Sequence, residues 1–146
     1  MILTGVDDHP ERAPNGVRAY GHDELKIAAA DADYLVLAIP GTKENENMID
    51  RAVLAGMKKN AVLVNVGRGT LVNEPALLAA VKSGHLFGAG LDVVKDEPVS
   101  EGNPLLTEPR IFVTPHIACL LYTSHLKIDE SVLAKTPQRK MPLVGF

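Results

Sequence analysis

The chain has 146 residues, of which 46% are hydrophobic, and a formal net charge of -3 at pH 7. The length indicates one domain, the hydrophobic content excludes global disorder, and the charge gives no general attraction to nucleic acid or to anionic membranes. The single cysteine, Cys119, excludes an internal disulfide framework and indicates a cytoplasmic protein. No apolar run approaches the roughly 20 residues of a membrane-spanning helix. We also find no basic leader sequence of the kind that directs export. We therefore expect neither a membrane nor a nucleic-acid partner.

Apolar runs and capping residues predict alternating strands and helices. The run 33–39 is continuous and apolar, which suits a strand covered on both faces of a sheet. Asp50 and Asn73 are predicted N-caps, and Gly84 stands in the usual terminating position of a helix. Predicted strands are 2–6, 17–20, 33–39, 61–66, 86–94 (with Gly88 and Gly90 allowing close backbone approach) and 111–113. Predicted helices are one that starts at His22 or Asp23 and ends at about Ala30, 51–57 and 74–83, and 101–110 is a predicted loop.

This alternation predicts an α/β fold with a mostly parallel sheet and right-handed crossovers. The pattern ends at Ala118, because the residues that follow show no periodicity that can be assigned to a helix or a strand. We therefore divide the chain into a domain at 1–118 and a tail at 119–146.

Three polar residues each follow a predicted strand. Arg68 lies in Asn-Val-Gly-Arg-Gly after 61–66, Glu97 follows 86–94, and His116 lies in Thr-Pro-His-Ile-Ala after the last strand. In an open α/β sheet, ligands bind outside the carboxyl ends of the strands, so these side chains can converge on one small molecule. No spacing of histidine or cysteine indicates a metal site.

With these motifs the chain resembles the D-isomer-specific 2-hydroxyacid dehydrogenases. The motifs at 64–69, 88–98 and 114–118 stand in the family's order and at family-like spacings, and 38–42 and 74–84 match as well. The resemblance implies a Rossmann-like, doubly wound NAD(P)-binding domain beside a discontinuous substrate-binding domain. It also implies a homodimeric parent enzyme that acts on a small 2-hydroxy or 2-oxo acid.

The resemblance assigns a role to each catalytic candidate. Arg68 would hold the substrate carboxylate and carbonyl oxygen, His116 would donate and accept the proton, and Glu97 would orient and charge that histidine. These residue types suit the chemistry, because a cation stabilises the negative charge that develops on a carbonyl receiving hydride. Histidine changes protonation state near neutral pH, and an arginine fork binds a carboxylate with both arms.

The same resemblance implies which residues contact the cofactor. Asp92 would bond the nicotinamide amide, and Asp7 would accept the adenosine ribose hydroxyls. A carboxylate at Asp7 repels a ribose phosphate, so NAD is expected as cofactor and NADP is disfavoured. The full set of expected cofactor contacts is Asp7, Ile39, Pro40, Val66, Gly67, Arg68, Asp92 and His116.

The chain departs from the family pattern at two places. The G-x-G-x-x-G loop is absent, since the chain begins at what resembles the second strand of the cofactor domain, so the sheet is expected to be incomplete. Strands 2–6 and 33–39 would then lack the strand that joins them and have unpaired edges. Family members usually carry glycine at the position of Cys119, and nothing after it resembles the family's next helix. We therefore expect a fragment that is inactive alone, with a non-family tail at 119–146 that is artefactual or disordered.

Two other interpretations stay open at this point. Some members of the family are NAD-sensing corepressors, so the chain could be an interaction module of the same fold, and a truncated product without function is the third case. Each candidate residue also has a structural alternative. Arg68 could be a surface cation, His116 could cap a turn, Glu97 could be solvated, and Asp92 and Asp7 could form turns.

Overall fold

The computed structural model describes residues 2–118 and the backbone of 143–144. The tail assignment and Cys119 therefore lie outside the described residues, except at 143–144. The strands are β1 (Thr4–Val6), β2 (Arg18–Tyr20), β3 (Tyr34–Leu37), β4 (Val62–Asn65), β5 (Gly88–Leu91), β6 (Ile111–Val113) and β7 (Leu143–Val144). The helices are α1 (Leu25–Ala30), α2 (Arg51–Gly56), α3 (Glu74–Lys82) and α4 (Pro104–Thr107).

The strands form parallel sheets, as the alternating pattern predicted. The larger sheet has the order β6-β5-β4-β3-β7, and β1 pairs in parallel with β2 in a separate ribbon. Parallel pairing places the carboxyl ends of β3, β4, β5 and β6 along one edge of the larger sheet. The loops that carry the predicted site residues follow these strand ends.

The edge of β3 differs from the prediction. We expected the strands at 2–6 and 33–39 to have unpaired edges, whereas β7 pairs in parallel with Val36 and Leu37. β7 also lies beside β1, with Cα atoms within 8 Å. For 33–39 the prediction was wrong, because a strand two residues long has no periodicity by which a sequence pattern could reveal it, whereas β1 is paired with β2 alone among the described residues.

The core lies between the larger sheet and its helices. α1 packs on α2, and α2 packs on α3, so these helices lie side by side. Leu35, Leu37 and Leu63 of the strands and Leu77 of α3 have no exposed surface. Burying each of these side chains contributes about 1.5–3 kcal/mol. In the part of the chain that the structure describes, no helix has the length and apolar character needed to cross a membrane.

Capping side chains fix the starts of two helices, as predicted. Asp50 Oδ1 accepts a hydrogen bond from the Val53 amide at 2.8 Å, and Asn73 Oδ1 accepts one from the Ala76 amide at 3.0 Å. Gly84, which follows α3, has a φ of 74°, a left-handed conformation that glycine adopts without strain.

Replacing Asn73 by alanine is expected to destabilise the chain by about 0.5–2 kcal/mol, because the amide of Ala76 loses its acceptor. Urea unfolding followed by circular dichroism measures this loss. Asn73→Ser keeps a capping oxygen and is expected to retain most of the stability. Equal stability of the alanine and serine variants would contradict the assigned cap.

Two sequence predictions need correction. The segment 101–110 was predicted as loop, but Pro104–Thr107 forms α4, whose N-cap Asn103 accepts a hydrogen bond from the Leu105 amide. One short turn carries too little periodicity to be detected. Close backbone approach holds for Gly88, where a Cβ would lie 2.3 Å from the carbonyl oxygen of Arg110, but not for Gly90, where nothing lies within 4 Å.

Candidate active site

Glycines bring the loops at the carboxyl edge of the sheet into direct contact. A Cβ at Gly67 would lie 2.5 Å from the carbonyl oxygen of Ile39, and one at Gly69 would lie 2.0 Å from the carbonyl carbon of Val94. Backbone atoms cannot yield as a flexible side chain can, so these positions require glycine. The loop that carries Arg68 therefore packs directly on the loop after β5, at Val94 and Lys95.

Glu97 and His116 form a hydrogen-bonded pair. His116 Nδ1 lies 2.9 Å from Glu97 Oε2, and Glu97 Oε1 accepts a hydrogen bond from the Val94 amide at 3.1 Å. Both carboxylate oxygens of Glu97 are thus engaged, which fixes the group that faces the imidazole. The hydrogen bond from His116 is the main cause of a pKa of Glu97 below its ordinary value, and the Val94 amide adds to it. A carboxylate that stays ionised is the form that holds an imidazole ring in place.

The pair borders a cleft of about 370 Å³. The side chains of His116 and Glu97 remain 44% and 38% exposed, so both can meet a ligand from solution. With Nδ1 turned toward Glu97, Nε2 is the ring nitrogen left for that ligand. The rest of the cleft is mostly apolar and is lined by Val94, Pro98, Val99, Val113, Thr114 and Pro115.

Asp92, which directly follows β5, holds the loop of His116. The residue is 6% exposed, and its carboxylate accepts hydrogen bonds from the Thr114 hydroxyl and from the amides of Ile117, at 3.0 Å, and Ala118, at 2.8 Å. Burial raises the pKa of Asp92, but the hydrogen bonds from Thr114, Ala118 and Ile117 outweigh it, so the pKa lies below its ordinary value. The carboxylate is therefore charged, and both of its oxygens accept hydrogen bonds from the loop of His116.

The lowered pKa of Asp92 predicts a pH dependence of stability. Because the folded state binds this proton less well than the unfolded state, the contribution is fully present above the ordinary pKa of 3.8 and is lost as the pH falls through the lower folded value. The difference in unfolding free energy between the wild type and Asp92→Asn should therefore shrink below pH 3.8. Urea unfolding at a series of pH values measures it. A difference that is constant with pH would contradict the assignment.

Arg68 is exposed, and its side chain forms a hydrogen bond within its own loop. Its Nη1 donates to the carbonyl oxygen of Gly67 at 2.8 Å. Across residues 2–118, we find no hydrogen bond or ion pair that joins this guanidinium to Glu97 or His116. The structure therefore joins two of the three predicted catalytic residues and places Arg68 on the adjoining loop.

Asn65 and Thr114 have positioning roles that the sequence analysis missed. Asn65 is 1% exposed, and its amide donates to the carbonyl oxygen of Arg68 at 2.8 Å and accepts from the Gly67 amide at 3.0 Å. A polar residue that ends an apolar strand is a signal that could have found Asn65, because buried polar groups need partners. For Thr114, the partner Asp92 lies 22 residues away, and no local pattern reveals it.

The predicted cofactor residues lie at neighbouring strand ends. Asp7 directly follows β1, and its carboxylate accepts a hydrogen bond from the His9 amide at 2.8 Å, which is a turn-forming contact. Ile39 and Pro40 follow β3 and are at least partly exposed, and Val66 and Gly67 follow β4. Among the residues that the structure describes, no cluster of histidine, cysteine and carboxylate side chains could hold a metal ion.

Asn45 anchors the loop that follows β3. Its side chain accepts a hydrogen bond from the Thr42 amide at 2.7 Å and donates to the carbonyl oxygen of Pro40 at 2.8 Å. These contacts fold the loop back on itself, and the Asn47 amide, which donates to the carbonyl oxygen of Thr70 at 2.8 Å, joins it to the segment after Arg68. Asn45 is thus a structural residue of the loop that carries two predicted cofactor contacts.

Comparison with known proteins identifies the domain. The family model described as D-isomer specific 2-hydroxyacid dehydrogenase, NAD binding domain, matches residues 1–118. The chain belongs to this dehydrogenase family. The predicted family, the Rossmann-type fold and the NAD(P)-binding character of the domain are thereby confirmed.

The dehydrogenase domain is similar to curated reductases over part of their length. Glyoxylate/hydroxypyruvate reductase B of Yersinia pestis (strain Pestoides F) is 44% identical over 96 residues, which are 66% of this chain and 29% of the relative. The reductase B of Serratia proteamaculans (strain 568) is 43% identical over 107 residues, which are 73% of this chain and 33% of the relative. The chain thus spans about a third of the length of these relatives.

Solved structures of dehydrogenases share the fold of this domain. The enzyme of Xanthobacter autotrophicus Py2 in complex with NADPH and MES matches with a TM-score of 0.75 and 34% identity, covering 80% of this chain and 37% of that one. The apo NADPH-dependent glyoxylate/hydroxypyruvate reductase of Sinorhizobium meliloti matches with a TM-score of 0.69 and 26% identity, covering 80% and 56%. Because these relatives use or contain NADPH, the preference for NAD that Asp7 implies stays a prediction for this chain.

Proposed function

We propose that this dehydrogenase domain serves reversible hydride transfer between a nicotinamide nucleotide and a small 2-hydroxy or 2-oxo acid. The observation that carries the proposal is the pair of His116 and Glu97, joined at 2.9 Å on the wall of an open cleft at the carboxyl edge of the sheet. A carboxylate and an imidazole in this arrangement form an acid–base pair that can serve a reacting oxygen.

The strand ends fit a nicotinamide nucleotide. Gly67 keeps the loops after β3 and β4 in contact without an intervening Cβ, so the residues of both loops that would hold the nucleotide lie side by side. A carboxylate suits ribose hydroxyl groups, which Asp7 would bind at the end of β1. When bound, the nucleotide would supply hydride to the substrate carbon or accept it from the hydroxy acid. The residues that would hold it are Asp7, Ile39, Pro40, Val66, Gly67, Arg68, Asp92 and His116.

The side chains of the chain would do the remaining chemistry. His116 Nε2 would donate a proton to the carbonyl oxygen as negative charge develops there, and it would take that proton back in the reverse direction. Glu97 would hold the ring with Nε2 toward the substrate. Arg68, which has a flexible stem and an exposed head, would turn from the Gly67 carbonyl to the substrate carboxylate and stabilise the developing charge.

The proposal also covers the substrate class, the oligomeric state and the cellular location. The two curated reductases are named for glyoxylate and hydroxypyruvate, which are short 2-oxo acids, so we propose substrates of that size for the protein that contains this domain. The family resemblance supports a homodimer. The low cysteine content supports a cytoplasmic location.

A hybrid enzyme tests the proposal. In the hybrid, residues 1–118 replace the matching segment of the Serratia proteamaculans reductase. That segment is about a third of the reductase, which supplies the remaining two thirds of the enzyme. The hybrid should oxidise NADH or NADPH in proportion to added glyoxylate or hydroxypyruvate. A hybrid that unfolds cooperatively and binds NADPH but gives no turnover with any short 2-oxo acid would refute the proposal.

A further inference from the structure

We propose that Asp92 is a positioning residue for His116, which clamps the loop of that histidine so that its ring meets Glu97. The inference deepens the proposed function, on which it rests, and it gives Asp92 a role beyond the contact with the nicotinamide amide. The role is carried out within the chain, so it can be tested without turnover.

The hydrogen bonds of Asp92 converge on successive residues of one loop. Its backbone oxygen accepts from the His116 amide at 2.9 Å, and its carboxylate accepts from the amides of Ile117 and Ala118. The hydroxyl of Thr114 donates to the same carboxylate from the other side of His116. Asp92 therefore contacts the chain on both sides of the histidine.

The conformation of His116 explains why such a clamp is needed. Its φ is 55°, a left-handed value that is uncommon for a residue with a side chain and persists only where the surroundings impose it. The bond to Glu97 starts from a partly exposed imidazole and cannot by itself fix the backbone. The contacts of the buried Asp92 carboxylate supply the constraint, and they set the direction in which the ring leaves the loop.

The charge on Asp92 suits this role. A carboxylate accepts hydrogen bonds through both oxygens, and bonds to an ionised acceptor are stronger than bonds between neutral groups. An asparagine of the same shape would turn one NH₂ group toward a backbone amide, so donor would face donor. Asp92→Asn therefore removes the clamp while keeping the volume of the side chain.

The test uses the 146-residue chain and NMR. Asp92→Asn should speed hydrogen exchange at the Ile117 and Ala118 amides by about 10-fold or more, because each loses a charged acceptor. The same variant should raise the pKa of Glu97 toward its ordinary value of 4.5, since the lost hydrogen bond from His116 is the largest influence on that pKa and outweighs the smaller, opposite effect of removing the Asp92 charge. A residue that left the ring in place would not raise the pKa of Glu97, because loss of the negative charge on Asp92 alone would lower that pKa.

Milder variants guard against unfolding of the Asp92 variant. Thr114→Val removes one donor and should shift the Glu97 titration in the same direction, whereas Thr114→Ser keeps the hydroxyl and should restore the wild-type titration. Asp50→Asn is the matched control, because it makes the same substitution at the N-cap of α2 and should leave Ile117, Ala118 and Glu97 unchanged.

The outcomes separate this inference from the proposed function. Unchanged amide exchange, together with no rise in the Glu97 pKa in either Asp92→Asn or Thr114→Val, would overturn the positioning role, whatever the hybrid enzyme does. Weaker NADH binding by Asp92→Asn with the loop of His116 unaltered would likewise overturn it, because Asp92 would then serve the cofactor alone. An inactive wild-type hybrid would refute the proposed function and leave the NMR result valid for the loop.

Discussion

His116→Ala is expected to lower kcat for 2-oxo acid reduction by about 10²- to 10⁴-fold in the hybrid enzyme, the range that a general acid contributes. The pair with Glu97 places the ring at the cleft, and the variant leaves no group there to protonate the carbonyl oxygen. Steady-state kinetics with glyoxylate, followed by the absorbance of NADPH, measures the loss. The Kd of NADPH should change little, because seven other residues that would hold the cofactor remain, and the ring of His116 chiefly serves the substrate oxygen.

A second histidine gives the control for this experiment. His85 lies after α3 and outside the cleft, and its Nε2 is buried and has no hydrogen-bond partner among the described residues. His85→Ala should therefore leave kcat near the wild-type value. Unchanged turnover in His116→Ala, or equal losses in the two variants, would remove His116 from the reaction.

Gly69→Ala is expected to destabilise the 146-residue chain by about 1–3 kcal/mol, the range for overpacking a well-packed site. The added Cβ would lie 2.0 Å from the carbonyl carbon of Val94 and 2.4 Å from the amide nitrogen of Lys95, so the two loops must separate. In the hybrid the same change should also lower kcat/KM, because Arg68 and Glu97 move apart. Urea unfolding and steady-state kinetics measure the two effects.

Gly90→Ala is the matched control for the added methyl group. Gly90 lies in β5, and a Cβ there would meet nothing within 4 Å. Its effect on stability should stay within about 0.5 kcal/mol, as for substitutions that touch no packed feature. If Gly69→Ala were as stable as Gly90→Ala, the tight packing of the loop of Arg68 on the loop of Glu97 would be contradicted.

Local chemistry in the sequence predicted the main elements. Asp50 and Asn73 cap α2 and α3 as expected, because a side-chain oxygen before an amphipathic run satisfies free amides. The continuous apolar run that contains Leu35 and Leu37 is a buried strand, since only a covered strand accommodates such a run. Patterns of this kind depend on a few neighbouring residues, and those residues are visible in the sequence.

Interactions between distant residues could not be predicted in this way. The clamp between Asp92 and the loop of His116 joins segments more than 20 residues apart, and its partners are mostly backbone amides that carry no sequence signal. The helix α4 and the strand β7, which pairs with β3, are too short to show a periodic pattern in the sequence. The motif residues were found because their residue types and order are characteristic of the family. The distances between their side chains could be known only from the folded structure.

A crystal structure of the hybrid enzyme with NADPH and oxalate, a stable dicarboxylate analogue of the substrate, tests the central claim most directly. The account predicts the Arg68 guanidinium on a carboxylate of oxalate and His116 Nε2 within hydrogen-bond distance of the oxygen that stands for the substrate carbonyl, with Glu97 still bonded to Nδ1. Oxalate bound elsewhere, with Arg68 still on the Gly67 carbonyl and His116 facing no ligand, would contradict it.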